Sequence, residues 1–335
     1  MKEKVPFYFF LIWVLFAYSQ EKETSFKLGG LLFADVYYVA QNHLEDKVGL
    51  TEAVLRRAYI TFDAKVKKHW FARVRTETNQ NGEFGVYTFE TDIKDLYIAY
   101  QTDRYKITLG LSPTKTYDLI EKIWGLRYLI RTPMDLQGVA SRDLGIAIDG
   151  SIDKKKRFSY RFMIGTGEDF GGETGDGRKT MLAFTYKTKK NYYFDLYGDY
   201  EEIPGEKNRS TIQVFSGYTS SQLRWAAQYS HQFRQEDASL ELFSAFISKK
   251  LYKEISVIGR VDRIMEPSPN GDTISYIPFD PDAKATFFIT GIEIPITNYF
   301  LITPNITFTR YDKTAGQITP NNDLLLRCTV FLNLE

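Results

Sequence analysis

Seven basic residues recur on the polar side of an alternating pattern: Arg57, Arg73, Arg75, Arg104, Lys106, Arg161 and Arg224. Arg57, Arg73 and Arg75 come from adjacent segments and share one face. Guanidinium and ammonium groups lining a watery passage favour anions, phosphate among them. A second basic group, Lys115, Lys122, Arg127 and Arg131, lies in the longest break of the pattern, 112–140. There it would line a constriction. A structural account competes: Asp63, Glu77 and Asp95 are near in sequence, and such walls lace arginine to carboxylate.

Covalent chemistry finds no support. His43, His69 and His231 are scattered, with no zinc-type spacing. No nucleophile elbow is present. Gly165-Thr166-Gly167 and the run from Gly171 to Gly177 are glycine-rich and acidic. They lack the Lys-Ser/Thr ending of a phosphate loop. Carboxylates there would suit Ca²⁺ at a cell surface, but the spacing is not that of an EF-hand. Cys328 is the single cysteine, so no intrachain disulfide or multi-thiolate site can form. It reads as a small apolar wall residue. We expect no enzyme activity and no cofactor. Lys and Arg number 43 against 42 Asp and Glu, which leaves no basic excess for nucleic acid.

The elements that must position these residues are strands. Lys2 and Lys4 precede an apolar stretch from Val5 to Phe16, and Ala17-Tyr18-Ser19 supplies small residues for cleavage before Gln20. Residues 1–19 therefore read as a signal peptide, too short in its apolar part to span a bilayer comfortably. No later run approaches 18 apolar residues. Residues 20–335 instead repeat a unit of about ten residues alternating apolar and polar, the period of a strand. Besides a helix, only a closed barrel satisfies every backbone group in lipid.

Sixteen such segments are expected: 26–39, 53–65, 68–78, 93–102, 104–111, 141–152, 156–166, 178–188, 190–201, 209–218, 221–233, 238–249, 252–264, 284–296, 298–311 and 322–335. Short and long connections alternate, as on the two rims of an outer-membrane barrel with both termini on the periplasmic side. Lysine in several short turns is read as solubilising. Pro304 cannot donate to a ladder, so a bulge or local distortion is expected there. Segments 238–249 and 284–296 are apolar on both faces. They either pack against a neighbouring copy or slip in register. Within 112–140, Leu119, Ile120, Ile123, Trp124 and Leu126 recur at roughly helical spacing. This third long loop either folds into the lumen as a constriction, or caps the barrel outside, or latches a subunit interface. The fold expected is all-β: a transmembrane antiparallel β-barrel of 16 strands with a long, partly helical third loop, integral to a Gram-negative-type outer membrane.

The run Leu55-Arg56-Arg57-Ala58-Tyr59-Ile60-Thr61-Phe62, followed by Lys67-Lys68-His69-Trp70, resembles an early hairpin of the phosphate-selective porin O and P family. Leu109-Gly110-Leu111-Ser112-Pro113-Thr114-Lys115 is similar to that family's strand into its long loop. Ser141-Arg142-Asp143-Leu144-Gly145-Ile146 is similar to the strand that follows. The resemblance covers roughly 50–150. It implies a 16-stranded porin, often a homotrimer, through which small hydrophilic solutes diffuse passively, anions such as phosphate among them. The family's arginine ladder has no residue-by-residue counterpart here. The last residue is Glu335 rather than an aromatic, with Phe331 the nearest. The alternative reading is a non-transporting outer-membrane barrel with an occluded lumen, an adhesin or structural protein; in either case outer-membrane lipid is an expected partner.

Overall fold

The computed structural model describes residues 24–81, 88–167, 177–203, 208–235, 238–268, 271–274, 277–312 and 319–334. The expected signal peptide, residues 168–176 of the glycine-rich run and Glu335 lie outside them. Among the described residues sixteen antiparallel strands close into one barrel, each bonded to its sequence neighbours and β1 to β16. In order they are β1 Thr24–Gln41, β2 Thr51–Val66, β3 Trp70–Asn81, β4 Thr88–Gln101, β5 Tyr105–Pro113, β6 Arg142–Ser151, β7 Phe158–Gly165 and β8 Arg178–Lys187. They continue as β9 Tyr192–Glu202, β10 Arg209–Thr219, β11 Leu223–Arg234, β12 Leu240–Tyr252, β13 Ile255–Ile264, β14 Ala285–Pro295, β15 Phe300–Tyr311 and β16 Asp323–Asn333. Between β5 and β6 lie two short helices, α1 Asp118–Trp124 and α2 Pro133–Leu136. No described helix is long and apolar enough to cross a membrane; a barrel crosses with strands.

The wall keeps the alternation of the sequence. In β9, Tyr192, Phe194 and Leu196 are exposed outside, while Asp195, Tyr197 and Asp199 are buried inside. In β2, Ile60 points out and Tyr59 and Thr61 point in. The outward set, from Leu28 and Ile98 round to Ile247 and Ile306, forms an apolar belt. It is far larger than the patches that water-soluble proteins expose. Lipid is the solvent it fits, and closure leaves no strand edge unpaired there. Rings gather where the belt meets the short turns. Trp70 lies 5.2 Å from Tyr100, Phe158 4.6 Å from Tyr186, and Tyr192 4.8 Å from Tyr218 and 6.3 Å from Trp225. This is an interfacial aromatic girdle.

Two irregularities alter the inner face. Phe33 pairs with Arg57 and Ala34 with Leu55, so Arg56 is an extra residue in β2. Arg75 pairs with Asp95 and Thr76 with Ile93, so Lys94 is an extra residue in β4. A bulge lets two consecutive side chains share a face. Arg56 and Arg57 therefore both turn inward, as do Lys94 and Asp95. Pro304 produces no bulge. It holds register with Cys328 of β16, and the β14–β15 ladder is interrupted between Gly291 and Ile294 instead. The missing proline N–H accounts for that gap.

Candidate functional site

The barrel interior is organised by the connection from Thr114 to Ser141. It does not cap the barrel outside; it lies within the lumen. Its first residues follow the wall of β9 and β10: the Thr116 hydroxyl is 2.9 Å from the Tyr197 hydroxyl, and Gln213 donates to the Thr116 carbonyl at 2.6 Å. Next comes α1, packed on β10 and β11. It ends at Gly125, whose φ of 65° requires a left-handed cap and whose N–H bonds the Glu121 carbonyl at 2.8 Å. A Cβ there would also strike the Arg224 guanidinium.

Beyond α1 the chain crosses to the opposite wall. Three wall arginines catch its backbone. Arg56 of β2 donates to the carbonyls of Tyr128 and Leu129 (3.0 Å to the latter), Arg327 of β16 to Leu129 at 3.4 Å, and Arg260 of β13 to Arg131 at 2.5 Å. Carbonyls of an irregular segment need donors when buried, and these arginines supply them. Each guanidinium is neutralised in turn. Asp35 lies 2.7 Å from Arg56 and 3.6 Å from Arg327, and Asp262 bonds Arg260.

Side chains of the loop fill one half of the lumen. Trp124 meets Phe246 edge-on at 4.8 Å, and Tyr128 stacks on Phe331 at 4.6 Å. Ile123, Leu126, Ile130, Met134 and Leu136 are buried with Phe215, Leu242, Phe287 and Ile289 of β10 to β14. Ile274, Ile277 and Phe279, from the connection between β13 and β14, join the same cluster. Segments 238–249 and 284–296 are apolar on both faces for this reason. Their inner face packs on the inserted loop, and the register runs unbroken from Leu242 to Lys250 and from Ala285 to Gly291.

The other half of the wall is charged. Arg57 pairs with Glu77 at 2.9 Å, Arg73 with Asp63 at 2.7 Å, and Arg161 with Asp195 at 2.7 Å. Arg75 lies 3.7 Å from Asp95, which Arg142 contacts more closely, at 2.6 Å. Lys94 reaches Glu77 at 3.4 Å, and Lys179 sits between Asp199 and Glu201. Lys106 lies over the rings of Tyr97 and Phe71. Arg224 of β11, beside Gly125 at the end of α1, donates to the Ser248 hydroxyl at 3.4 Å. Arg104 is not on the wall; it is exposed in the turn before β5.

The loop's own basic residues are mostly paired as well. Lys115 lies 3.3 Å from Asp118 and 3.2 Å from Asp149, and Arg127 reaches Glu121 and Asp135. Arg131 is 3.9 Å from Asp135. Burial by itself would raise the Asp135 carboxyl, but the Arg127, Arg131 and Arg57 guanidiniums outweigh it and hold the group below the usual carboxylate range. Lys122 alone of the four is exposed, on the face of α1 turned from the apolar cluster.

Arg56, Lys94, Lys179, Arg260 and Arg327 were not among the site residues expected from the sequence. For the first two a signal existed. Arg56-Arg57 and Lys94-Asp95 are charged doublets inside alternating strands, and one member of each would face lipid unless a bulge intervened. Arg260 and Arg327 lie on the inner parity of segments already read as strands.

No protein-family model and no curated protein sequence matches the chain. Solved structures do. The chain is similar to the anion-selective porin from Comamonas acidovorans, with a TM-score of 0.66 and 13% identity over 93% of this chain and 100% of that one. Salmonella typhi OmpF, solved with daunomycin, gives a TM-score of 0.65 at 10% identity over 92% and 97%. The trimer form of Vibrio cholerae OmpT gives 0.61 at 10% over 93% and 100%. At such identities the likeness carries the fold, that of 16-stranded outer-membrane porins, and singles out no one selectivity.

Proposed function

We propose that the chain is an integral outer-membrane channel through which small hydrophilic solutes diffuse passively, along the charged arc β2 to β9 and past the exposed face of α1. The observation that carries this reading is the division of the lumen. One half is packed apolar against the inserted loop, and the other keeps Asp63, Arg73, Asp118 and Asp149 only 19–30% exposed but in reach of water. Charged groups at the end of a packed core would be costly; beside a passage they are hydrated. Asp63, Arg73, Lys106, Asp149, Asp118, Glu121 and Lys122 would then contact the solute.

An anion preference rests on Lys106 and Lys122, which form no carboxylate ion pair among the described residues, and is modest because Asp63, Asp118, Glu121 and Asp149 line the same passage. Phosphate is the anion that the resemblance over 50–150 suggests. Pairing of Arg57, Arg73, Arg75 and Arg161 keeps the preference small. A homotrimer is the assembly expected, as in the trimer form of the similar Vibrio cholerae protein.

The deciding experiment is planar-bilayer recording of the mature protein. Discrete conductance steps support the channel, and a reversal potential of anionic sign in a KCl gradient supports the selectivity. Cationic sign would sink the selectivity alone. A second reading, an occluded barrel, is favoured by burial of every residue from Thr132 to Gln137. It predicts no steps, and no swelling of proteoliposomes with any member of a graded sugar series.

A further inference from the structure

The net charge of +1 conceals a separation of charge along the barrel axis. The seven short turns between strands carry ten basic and three acidic residues. The seven long connections other than the inserted loop carry fifteen acidic and four basic. Among the described residues the short-turn rim is strongly positive, and the opposite rim is negative, with seven acidic residues against two basic outside the inserted loop. The positive rim is densest at Lys154-Lys155-Lys156 and Lys189-Lys190, all five exposed.

Their position relative to the girdle is regular. Lys68, Lys156 and Lys190 each stand two residues before a girdle ring, those of Trp70, Phe158 and Tyr192. Two residues of tilted strand place an ammonium group roughly 5–7 Å beyond the ring. The rings mark the interface, so the lysines reach the depth of the lipid phosphates. Solubility does not explain the sign. Either sign solvates a turn, and the opposite rim uses carboxylates.

We propose that the short-turn rim is a docking surface for anionic phospholipid headgroups of the leaflet it meets. The surface is basic, one-signed and set at phosphate depth, and an anionic headgroup is the complementary partner. The proposal rests on the barrel spanning a bilayer.

Native tryptophans report on it. Trp70 and Trp225 sit in the girdle at this rim, while Trp124 is buried in the lumen and gives a constant background. The mature protein is reconstituted in phosphatidylcholine vesicles with a minor fraction of phosphatidylglycerol. Bromine is carried on the acyl chains of one lipid or the other. Per lipid, brominated phosphatidylglycerol should quench about threefold more, falling to parity in high salt. Combining Lys68→Gln, Lys154→Gln, Lys156→Gln, Lys189→Gln and Lys190→Gln should remove most of the preference and leave conductance unchanged. Equal quenching by the two lipids, or a preference that survives the five substitutions, overturns headgroup docking and leaves the membrane reading standing. Absence of quenching by either lipid overturns both.

Discussion

The wall from β2 to β9 and the wall from β10 to β14 share one outer belt but have opposite interiors. The first presents Asp63, Arg73, Glu77, Asp95, Arg161 and Lys179 to the lumen; the second presents Phe215, Leu242, Phe246, Phe287 and Ile289. A barrel strand therefore has two uses for its inner face. It can line water, where charges are stable in pairs, or it can form a core, which needs something apolar to cover it. The cover here is a loop that is apolar on the side toward β10–β14 and charged on the side toward β2–β4. On the proposed channel reading, solute runs where the wall is charged, and the apolar arc holds the loop that narrows the lumen.

The strongest way to break this contrast is to remove the anchor on the apolar side. Trp124→Ala should weaken loop docking by about 3–5 kcal/mol and enlarge single-channel conductance. A step of wild-type size would mean that the apolar arc does not hold the loop. The arginine clamp comes next. Arg56→Ala leaves buried Asp35 with Arg327 and the Thr329 hydroxyl beside it, and loss of a buried ion-pair partner costs about 3–5 kcal/mol, here reduced by those remaining donors. Thermal unfolding in detergent should show the loss, and adding Asp35→Asn should recover much of it. If Arg56→Ala unfolds like wild type, the clamp has been misread.

On the charged arc the same kind of change should act differently. Arg73 and Asp63 are 25% and 19% exposed, so Arg73→Gln should cost at most about 1 kcal/mol while moving the reversal potential toward cations. Arg260→Gln, on the apolar arc, should instead destabilise the loop with less effect on selectivity. Equal selectivity shifts from the two would erase the distinction. The smallest effect is that of pH. The Asp135 carboxyl is held low by its arginines, so its contribution is complete above about pH 4, the ordinary Asp range. It is lost as pH falls from there through the lowered folded value. Current noise should be flat from neutral pH to about 4 and rise only below it. A rise beginning near neutrality would point to another group.

Much of this was legible before the structure. All sixteen strands fall within a few residues of the segments expected from alternation, since a period of two is a local property and outward positions must be apolar in lipid. The pairs Arg73–Asp63 and Arg57–Glu77 follow from neighbouring strands joined by a short turn, so the structural account of those arginines was within reach of sequence. The bulges were harder. A single extra residue reverses parity for the rest of a strand, and strict alternation across 53–65 sends Arg56 outward. Arg104 was placed on a wall because the strand was started one residue early. The loop's destination could not be read. Helical spacing from Leu119 to Leu126 shows a face to be buried, but not where.

By itself the sequence determined the strands, which faces meet lipid, and which rim carries short basic turns, because each depends on residues within about one strand length. Only the tertiary structure decided that 114–141 lies inside the barrel, that β10–β14 form its core, and that Arg56, Arg260 and Arg327 hold its backbone. Those contacts join residues some 70 to 200 positions apart, and closure of the ring is what brings them within reach.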